Sequence, residues 1–392
     1  MRRAKAQDSE VDMLAAAFLA GEGRKQKDIA DTLALSQAAV SRFLARARAQ
    51  YLREEVRFLE ENVPQADMQR VRQRIGRKKL QDSLDQLAKR NGQTRTASLR
   101  VFECGPGADI ERIRRLGEFA APHVKGLLVH ARACGLTWGG MLASLLAGLR
   151  NLHSPAPWAK GEIQCLPLTG EPLGQDPVNF SSSSLAFELG RIVNSPSYHA
   201  PSLAMVPAFV PEGFSRGQID GVWRLIGLVD SYRQVFGPHP SGTARQRQAD
   251  LEPPLAERLD MLLTSVGTAD KPLGFGQGKL FDTMNVNHEE LKALIVAEVG
   301  GVCIPRPNLD KRQQRQFESF RSRWTGLRWE HLTACAARGG DPSAGVPGVV
   351  VVSGGKGRAA PICELIKLGL VNHLIVDDVL ADELETISRA MG

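Results

Sequence analysis

Apolar side chains recur at helical spacing through the first ninety or so residues and in shorter clusters thereafter. The segment 9–19 places Val11, Leu14, Ala15, Phe18 and Leu19 on one face, with Ser9 and Asp12 as a capping box and Gly21 and Gly23 as a stop. Across 26–44 the period breaks in the middle. Ile29, Ala30 and Leu33 share a face of one short helix, Val40, Phe43 and Leu44 share a face of the next, and Leu35 falls in the turn between them. Ser36 is set to accept a backbone N–H in the first turn of the second helix, and the small Ala30 lies where the two helices cross. Ala34 occupies a turn position where such helix pairs usually carry Gly, so the turn must tolerate a Cβ. The second helix is expected to continue through Ala45, Ala47 and Tyr51 toward Phe58, with Pro64 closing the module. A long helix follows over 67–90, where Met68, Val71, Ile75, Leu80, Leu84 and Leu87 form a stripe that slips near Gly76 and stops at Asn91-Gly92.

Beyond Thr94 the pattern changes to short apolar strands alternating with helices. These fall at 98–103, 110–121, 126–130, 141–149, 163–168, 184–193, 348–352, 359–368 and 373–376. Alternation of this kind predicts an α/β domain around a mainly parallel sheet. The expected organisation is an all-α helix-turn-helix domain over 1–62, a basic linker helix over 63–95 able to serve oligomerisation, and an α/β effector domain over 96–392.

Charge sharpens that division. The net charge of +7 is not spread evenly: residues 1–100 hold 21 Lys+Arg against 13 Asp+Glu, or +8, leaving 29 against 30, or −1, for the remainder. A basic end joined to a near-neutral body suits a DNA-binding module attached to a sensor or enzyme, because phosphate neutralisation supplies most non-specific affinity. With the inner face of the helix pair filled, Gln37, Ala38, Ser41 and Arg42 project from the early turns of its second helix, where base edges are met in a major groove. Lys27, Ser36 and Arg46 complete the candidate DNA-binding set, and Arg48 lies nearer phosphates. The cluster Arg70, Arg72, Arg74, Arg77, Lys78 and Lys79 either adds phosphate contacts or is a solvated face. The alternative for 26–44 is an amphipathic hairpin within an ordinary core.

Six scattered cysteines, with no CxxC pair and no His at ligand spacing, point to buried free thiols rather than to a zinc site or a disulfide framework. No cofactor motif, metal set or catalytic constellation stands out. The chain has no long apolar run and no signal-peptide pattern at its start, so a cytoplasmic location is expected.

In parallel sheets, ligands bind at loops beyond the carboxyl ends of strands, and three stretches fit that description. In 134–142, CGLTWGGML, the glycines allow backbone N–H groups to converge on an anion and Thr137 offers a hydroxyl. In 353–358, SGGKGR, Lys356 and Arg358 add charge to a similar cradle. In 263–267, LTSVG, flanked by Asp260 and Asp270, hydroxyls and carboxylates are placed to hold sugar hydroxyls. Glycines after strands also serve plain turning, so each loop alone is open to that reading.

These residues resemble the SorC family of bacterial sugar-responsive transcription regulators, in which a helix-turn-helix precedes a domain similar to glucosamine-phosphate deaminase and ribose-phosphate isomerase. The resemblance spans most of 10–392. It rests on DIADTLALSQAAVSRFLARAR, GLTWGGML, CLPLTGEP, YHAPSL, LTSVG, GKLFD and, most specifically, VVVVSGGKGRAAPICELIKLGLVNHLIVDDVLADEL. It implies operator-DNA binding controlled by a small sugar or sugar-phosphate effector, commonly in a homotetramer. The effector contacts it implies are Gly135, Thr137, Trp138, Gly139, Gly140, Ser265, Gly267, Asp282, Gly354, Gly355, Lys356 and Arg358. The chain departs from the family pattern at Met141, Lys279, Arg358 and Val376, where Thr, Arg, Lys and Thr are usual. A Thr-to-Met change removes a hydroxyl donor for phosphate. The stretches 238–254 and 311–328 are less family-like and carry no assigned role.

Two alternatives share these features. A sugar-phosphate isomerase or deaminase with an accessory DNA module would draw on Asp260, Asp270 and Asp282, although no motif sets two of them with a His. A nucleoid-type DNA binder would have no ligand at all.

Overall fold

The structure is a computed structural model. It describes residues 2–48, 50–51, 63–152, 161–171, 180–194, 198–211, 213–237, 253–268 and 287–391. The chain divides into two units, Met1–Ser83 and Leu84–Gly392.

The first unit is helical, with α1 (Arg2–Gly21), α2 (Gln26–Leu33), α3 (Gln37–Ala47) and the beginning of α4 (Gln65–Arg90). Leu14 and Leu19 of α1, Ile29 and Leu33 of α2, and Val40, Leu44 and Ala47 of α3 close one core, with Met68 and Val71 packed into it. The expected stripes therefore do bury. Two boundaries differ from expectation. Helix α1 already runs from Arg2, so Ser9 lies inside the helix and is no N-cap, and α3 ends at Ala47 with Arg48 as its C-cap. The expected extension toward Phe58 lies outside the described residues.

The second unit is built on a six-stranded, wholly parallel sheet. Its strands are β1 (Ser98–Phe102), β2 (Ala133–Leu136), β3 (Gln164–Pro167), β4 (Met261–Thr264), β8 (Gly348–Ser353) and β9 (His373–Asp377), in the spatial order β1-β9-β8-β4-β2-β3. A second, antiparallel sheet joins β5 (Gly267–Thr268), β6 (Ile295–Val299) and β7 (Val302–Pro305). The α/β expectation with a mainly parallel sheet holds. Strands β2, β4 and β8 are buried along their whole length, which is why they are near-continuous apolar runs.

Helices α5 (Asp109–Leu128), α6 (Gly140–Arg150) and α7 (Ser182–Val193) share the core on one face of this sheet with Leu136, Leu263, Val350, Val352 and Ile375. Where α5 and α6 meet, each gives a glycine: a Cβ on Gly117 would lie 2.5 Å from the Ser144 backbone, and one on Gly148 would lie 2.7 Å from the Gly117 carbonyl oxygen. The remaining helices are α8 (Arg216–Ile226), α9 (Asp230–Phe236), α10 (His288–Leu294), α11 (Lys311–Arg321), α12 (Trp329–Gly339), α13 (Ala359–Lys367) and α14 (Asp378–Met391). The basic stretch 311–328 thus contains a helix, capped by Asp310, whose Phe317 and Phe320 are buried.

The expected strand at 126–130 is a correction. Those residues are the last turn of α5 and the turn after it, because Leu116, Ala120, Val124 and Leu128 continue one buried helical stripe past Pro122. The strand is Ala133–Leu136 instead, so Gly135 lies within β2 rather than in a ligand loop. A Cβ there would lie 2.4 Å from Leu168 Cδ1.

Candidate DNA-reading helix and effector site

In the helical unit the turn between α2 and α3 is set by Ala34 at φ 52, ψ 43, the left-handed conformation. Ser36 then caps α3, its hydroxyl accepting from the Ala39 N–H at 3.2 Å. With Val40, Leu44 and Ala47 inside, the opposite surface presents Gln37, Ala38, Ser41, Arg42 and Arg46, and Lys27 is exposed on α2. The whole candidate DNA-binding set is exposed, and five of its seven members lie on one helix.

At the carboxyl ends of the parallel strands a row of hydroxyls is assembled by register. Leu136 pairs with Leu263, and one residue on, Thr137 and Thr264 bring their Oγ1 atoms to 3.0 Å, both side chains buried. Thr264 pairs with Val351 of β8, two residues before Ser353 on the same strand face. The hydroxyls of Ser353 and of Thr169, beyond β3, are buried and make no hydrogen bond to the described residues. Ser265 lies beside this row, within reach of Gly139, which stands at φ 118 ahead of α6 and gives its N–H to the Phe180 carbonyl. Gly300, in the β6–β7 turn, covers Thr137: a Cβ on it would lie 2.1 Å from Thr137 Cγ2.

The loop after β8 was expected to offer its amides to an anion. They are turned instead to carboxylates of the chain itself. The Gly355 N–H donates to Asp377 at 3.1 and 3.2 Å, and the Gly357 N–H donates to Glu383 at 3.1 and 2.8 Å. Arg358 folds back over the loop and donates to the carbonyls of Gly354 at 2.6 Å and Val266 at 3.3 Å. Burial depresses its pKa, against the opposing pull of Asp109, Asp377 and Glu383. Lys356 is exposed. Asp377 is held in turn by Arg112 Nη2 at 2.8 Å, and the same nitrogen reaches Asp378 at 2.7 Å.

The structure therefore brings Thr137, Ser265, Gly139 and Gly140 to one end of the sheet, and Gly354, Gly355 and Arg358 to the same end. Gly267 opens β5 and pairs with Glu298. Trp138 is 6% exposed and packs edge-on against Trp324 at 5.9 Å, so it supports its loop from behind. Asp282, like Asp270, lies outside the described residues. Asp260 is a second correction: it precedes β4 at the amino end of the sheet. There it accepts from the Arg132 N–H at 2.8 Å and from Arg338 Nη2 at 2.6 Å, tying strands together far from the hydroxyl row.

Sequence reasoning named the hydroxyls of 263–267, Thr264 among them, and missed the parts that Ser353, Thr169 and Arg112 play at this end. Ser353 could have been found as a polar residue closing an apolar strand. Arg112 is one of several arginines in α5 and carries no such signal. All six cysteines are buried and free, as expected. Among the described residues no group of three or more His, Cys, Asp or Glu is placed to hold a metal.

The helical unit followed by the parallel α/β domain is similar to solved structures of operon regulators. The full-length sorbitol operon regulator SorC from Klebsiella pneumoniae is similar to this chain with TM-score 0.51 and 15% identity, over 97% of this chain and 99% of that one. A probable sor operon regulator from Shigella flexneri is similar with TM-score 0.50 and 11% identity, over 78% of this chain and 98% of that one. At such identities the likeness establishes the fold. No protein-family model matches the chain, and no curated protein matches it in sequence. None of the described helices is long and apolar enough to cross a membrane.

Proposed function

We propose that the protein is a transcription regulator: residues 1–62 read operator DNA, 63–95 link and help to assemble a homotetramer, and 96–392 bind a small sugar or sugar phosphate that modulates operator binding. The observation that carries this reading is the exposed surface of α3, Gln37, Ala38, Ser41, Arg42 and Arg46, fixed in place by the Ala34 turn and the Ser36 cap. The hydroxyl row at the strand ends supports a polyhydroxylated effector, since buried hydroxyls without protein partners are what a sugar hydroxyl satisfies. Arg358 and Lys356 are the cations of that loop, with Asp377 and Glu383 seated on its amides. The effector acts by fitting one arrangement of subunits better, shifting the population toward or away from the arrangement whose recognition helices match the half-site spacing.

The test is a gel shift of the full chain on DNA upstream of its own gene, repeated with a panel of sugars and sugar phosphates. Specific retention at moderate salt that one ligand alters is the expected result, with the response lost in Thr137→Val and Arg358→Ala. Retention of random DNA equal to that of the upstream fragment would sink the reading. Of the three carboxylates of the isomerase alternative, Asp260 stands at the opposite, amino end of the sheet, and Asp270 and Asp282 lie outside the described residues.

A further inference from the structure

On the far side of the β6–β7 turn lies a cleft of about 180 Å³ that the strand-end site does not use. Its walls are aromatic: Trp223 of α8, Tyr232 of α9, Trp324 and Trp329 all line it. Three of the chain's five tryptophans meet here. Two arginines and two glutamates share the rim, Arg321, Arg328, Glu318 and Glu330, so the lining carries no net charge. Much of the guanidinium capacity is already committed. Arg321 holds Glu318 through Nε at 3.1 Å and Nη2 at 2.7 Å, and Arg328 Nη2 donates to the Phe236 carbonyl at 3.2 Å.

We propose that this cleft is a second small-molecule site, taking one uncharged monosaccharide. A sugar ring presents apolar C–H faces that pack on indole and phenol rings, while its hydroxyls both donate to carboxylates and accept from guanidinium groups, which a lining of balanced sign allows. A phosphorylated or otherwise anionic ligand would gain nothing from a neutral lining whose arginines are engaged. The volume is below the roughly 300–1,000 Å³ of drug-sized pockets, which restricts the occupant to a single ring. Most of the lining comes from 318–330, a stretch that overlaps the one left without a role by the sequence.

The two sites share a partition. Gly300 abuts Thr137 of the strand-end site, and a Cβ on its neighbour Gly301 would lie 2.9 Å from Cε3 of Trp324 in the cleft wall. Trp324 also packs against Trp138. The proposal stands whether or not the strand-end site is an effector site.

The experiment is a titration of the intrinsic tryptophan fluorescence of the full chain with a panel of neutral aldohexoses, ketohexoses and pentoses up to high millimolar concentration, alongside their phosphate esters. One or more neutral sugars is expected to shift the emission saturably, and any shift that a phosphate ester produces is expected to be lost in Arg358→Ala. Trp329→Ala, at the partly exposed wall, is expected to weaken that binding by roughly tenfold or more, and Arg358→Ala, at the strand ends, to leave it unchanged. Glu330→Gln, a near-isosteric change at an exposed position, is expected to weaken binding as well, and it serves should the Trp329 variant not fold. No saturable change with any neutral sugar, or equal weakening by Arg358→Ala, overturns the proposal. The latter result would place the sugar at the strand ends instead.

Discussion

Arg112, near the start of α5, reaches Asp377 at the end of β9 with Nη2 to Oδ2 at 2.8 Å, both side chains almost wholly enclosed at 9% and 2% exposure. The same guanidinium holds Asp378 and the Gly105 carbonyl, and Asp377 in turn receives the Gly355 and Leu380 N–H groups. One side chain thus fixes three segments at the carboxyl end of the sheet: the loop after β1, the loop after β8 and the start of α14. Arg112→Ala leaves a buried carboxylate without its cation, and a loss on the order of 3–5 kcal/mol is expected. Urea unfolding followed by circular dichroism measures it. A change below about 1 kcal/mol, the size of an exposed pair, would show that solvent reaches this end.

Ala34 sits at φ 52 with an exposed side chain, in a conformation that costs an L-residue roughly 1–2 kcal/mol relative to glycine. Ala34→Gly removes that cost and adds some unfolded-state entropy, so a net gain of about 0.5–1 kcal/mol is expected. Thermal melting of the variant beside the parent checks it. A lower melting temperature would mean that the Cβ is packed rather than tolerated.

How much of this was readable beforehand depends on sequence distance. The α2–α3 pair is a local object: Ile29, Leu33, Val40 and Leu44 announce it through period alone, and Ser36 caps the helix that it precedes. Alternation likewise announced the α/β domain. The run at 126–130 was misread because a short apolar run has no period to distinguish a strand from the last turn of a helix. That the strand-end hydroxyls form one row could not be read. Thr137 and Thr264 are 127 positions apart, Arg112 and Asp377 are 265 apart, and only the order β1-β9-β8-β4-β2-β3 makes either pair neighbours. The glycines of 353–358 lie at the same end of the sheet as the hydroxyls. Which groups their amides bind was decided by Asp377 and Glu383, which lie 22 and 26 residues further on.

Glu298, in β6, is 3% exposed, and burial raises its pKa to about 7, partly offset by the Gly301 N–H that donates to it. Between the ordinary value of 4.5 and about 7 the folded chain holds this proton more tightly than the unfolded chain does. The associated stability is therefore complete below pH 4.5 and falls as the pH rises through 7, by up to about 3 kcal/mol in total. Glu298→Gln keeps the shape and removes the titration. The difference in stability between parent and variant, measured in urea from pH 4 to pH 8, is expected to move steadily in the variant's favour. A difference that stays constant across that range would place Glu298 in contact with water.

Arg42 is exposed on the second turn of α3, beyond Gln37, Ala38 and Ser41 on the surface opposite the buried Val40 and Leu44. A guanidinium at this place in a recognition helix can reach a guanine edge with two donors or a phosphate with one. The two roles separate by experiment. If the contact is to a base, Arg42→Ala weakens binding to the operator by about 1–3 kcal/mol while binding to random DNA is nearly kept. If it is to a phosphate, both weaken alike and the salt dependence of binding becomes shallower by about one unit of slope. Base contact is the expected result, because Arg46 lies one turn further along the same helix and Lys27 on α2, both away from the first turns proposed to read bases. Equal loss on operator and random DNA in a gel-shift titration would reassign Arg42 to the phosphates and leave Gln37, Ala38 and Ser41 to read the sequence.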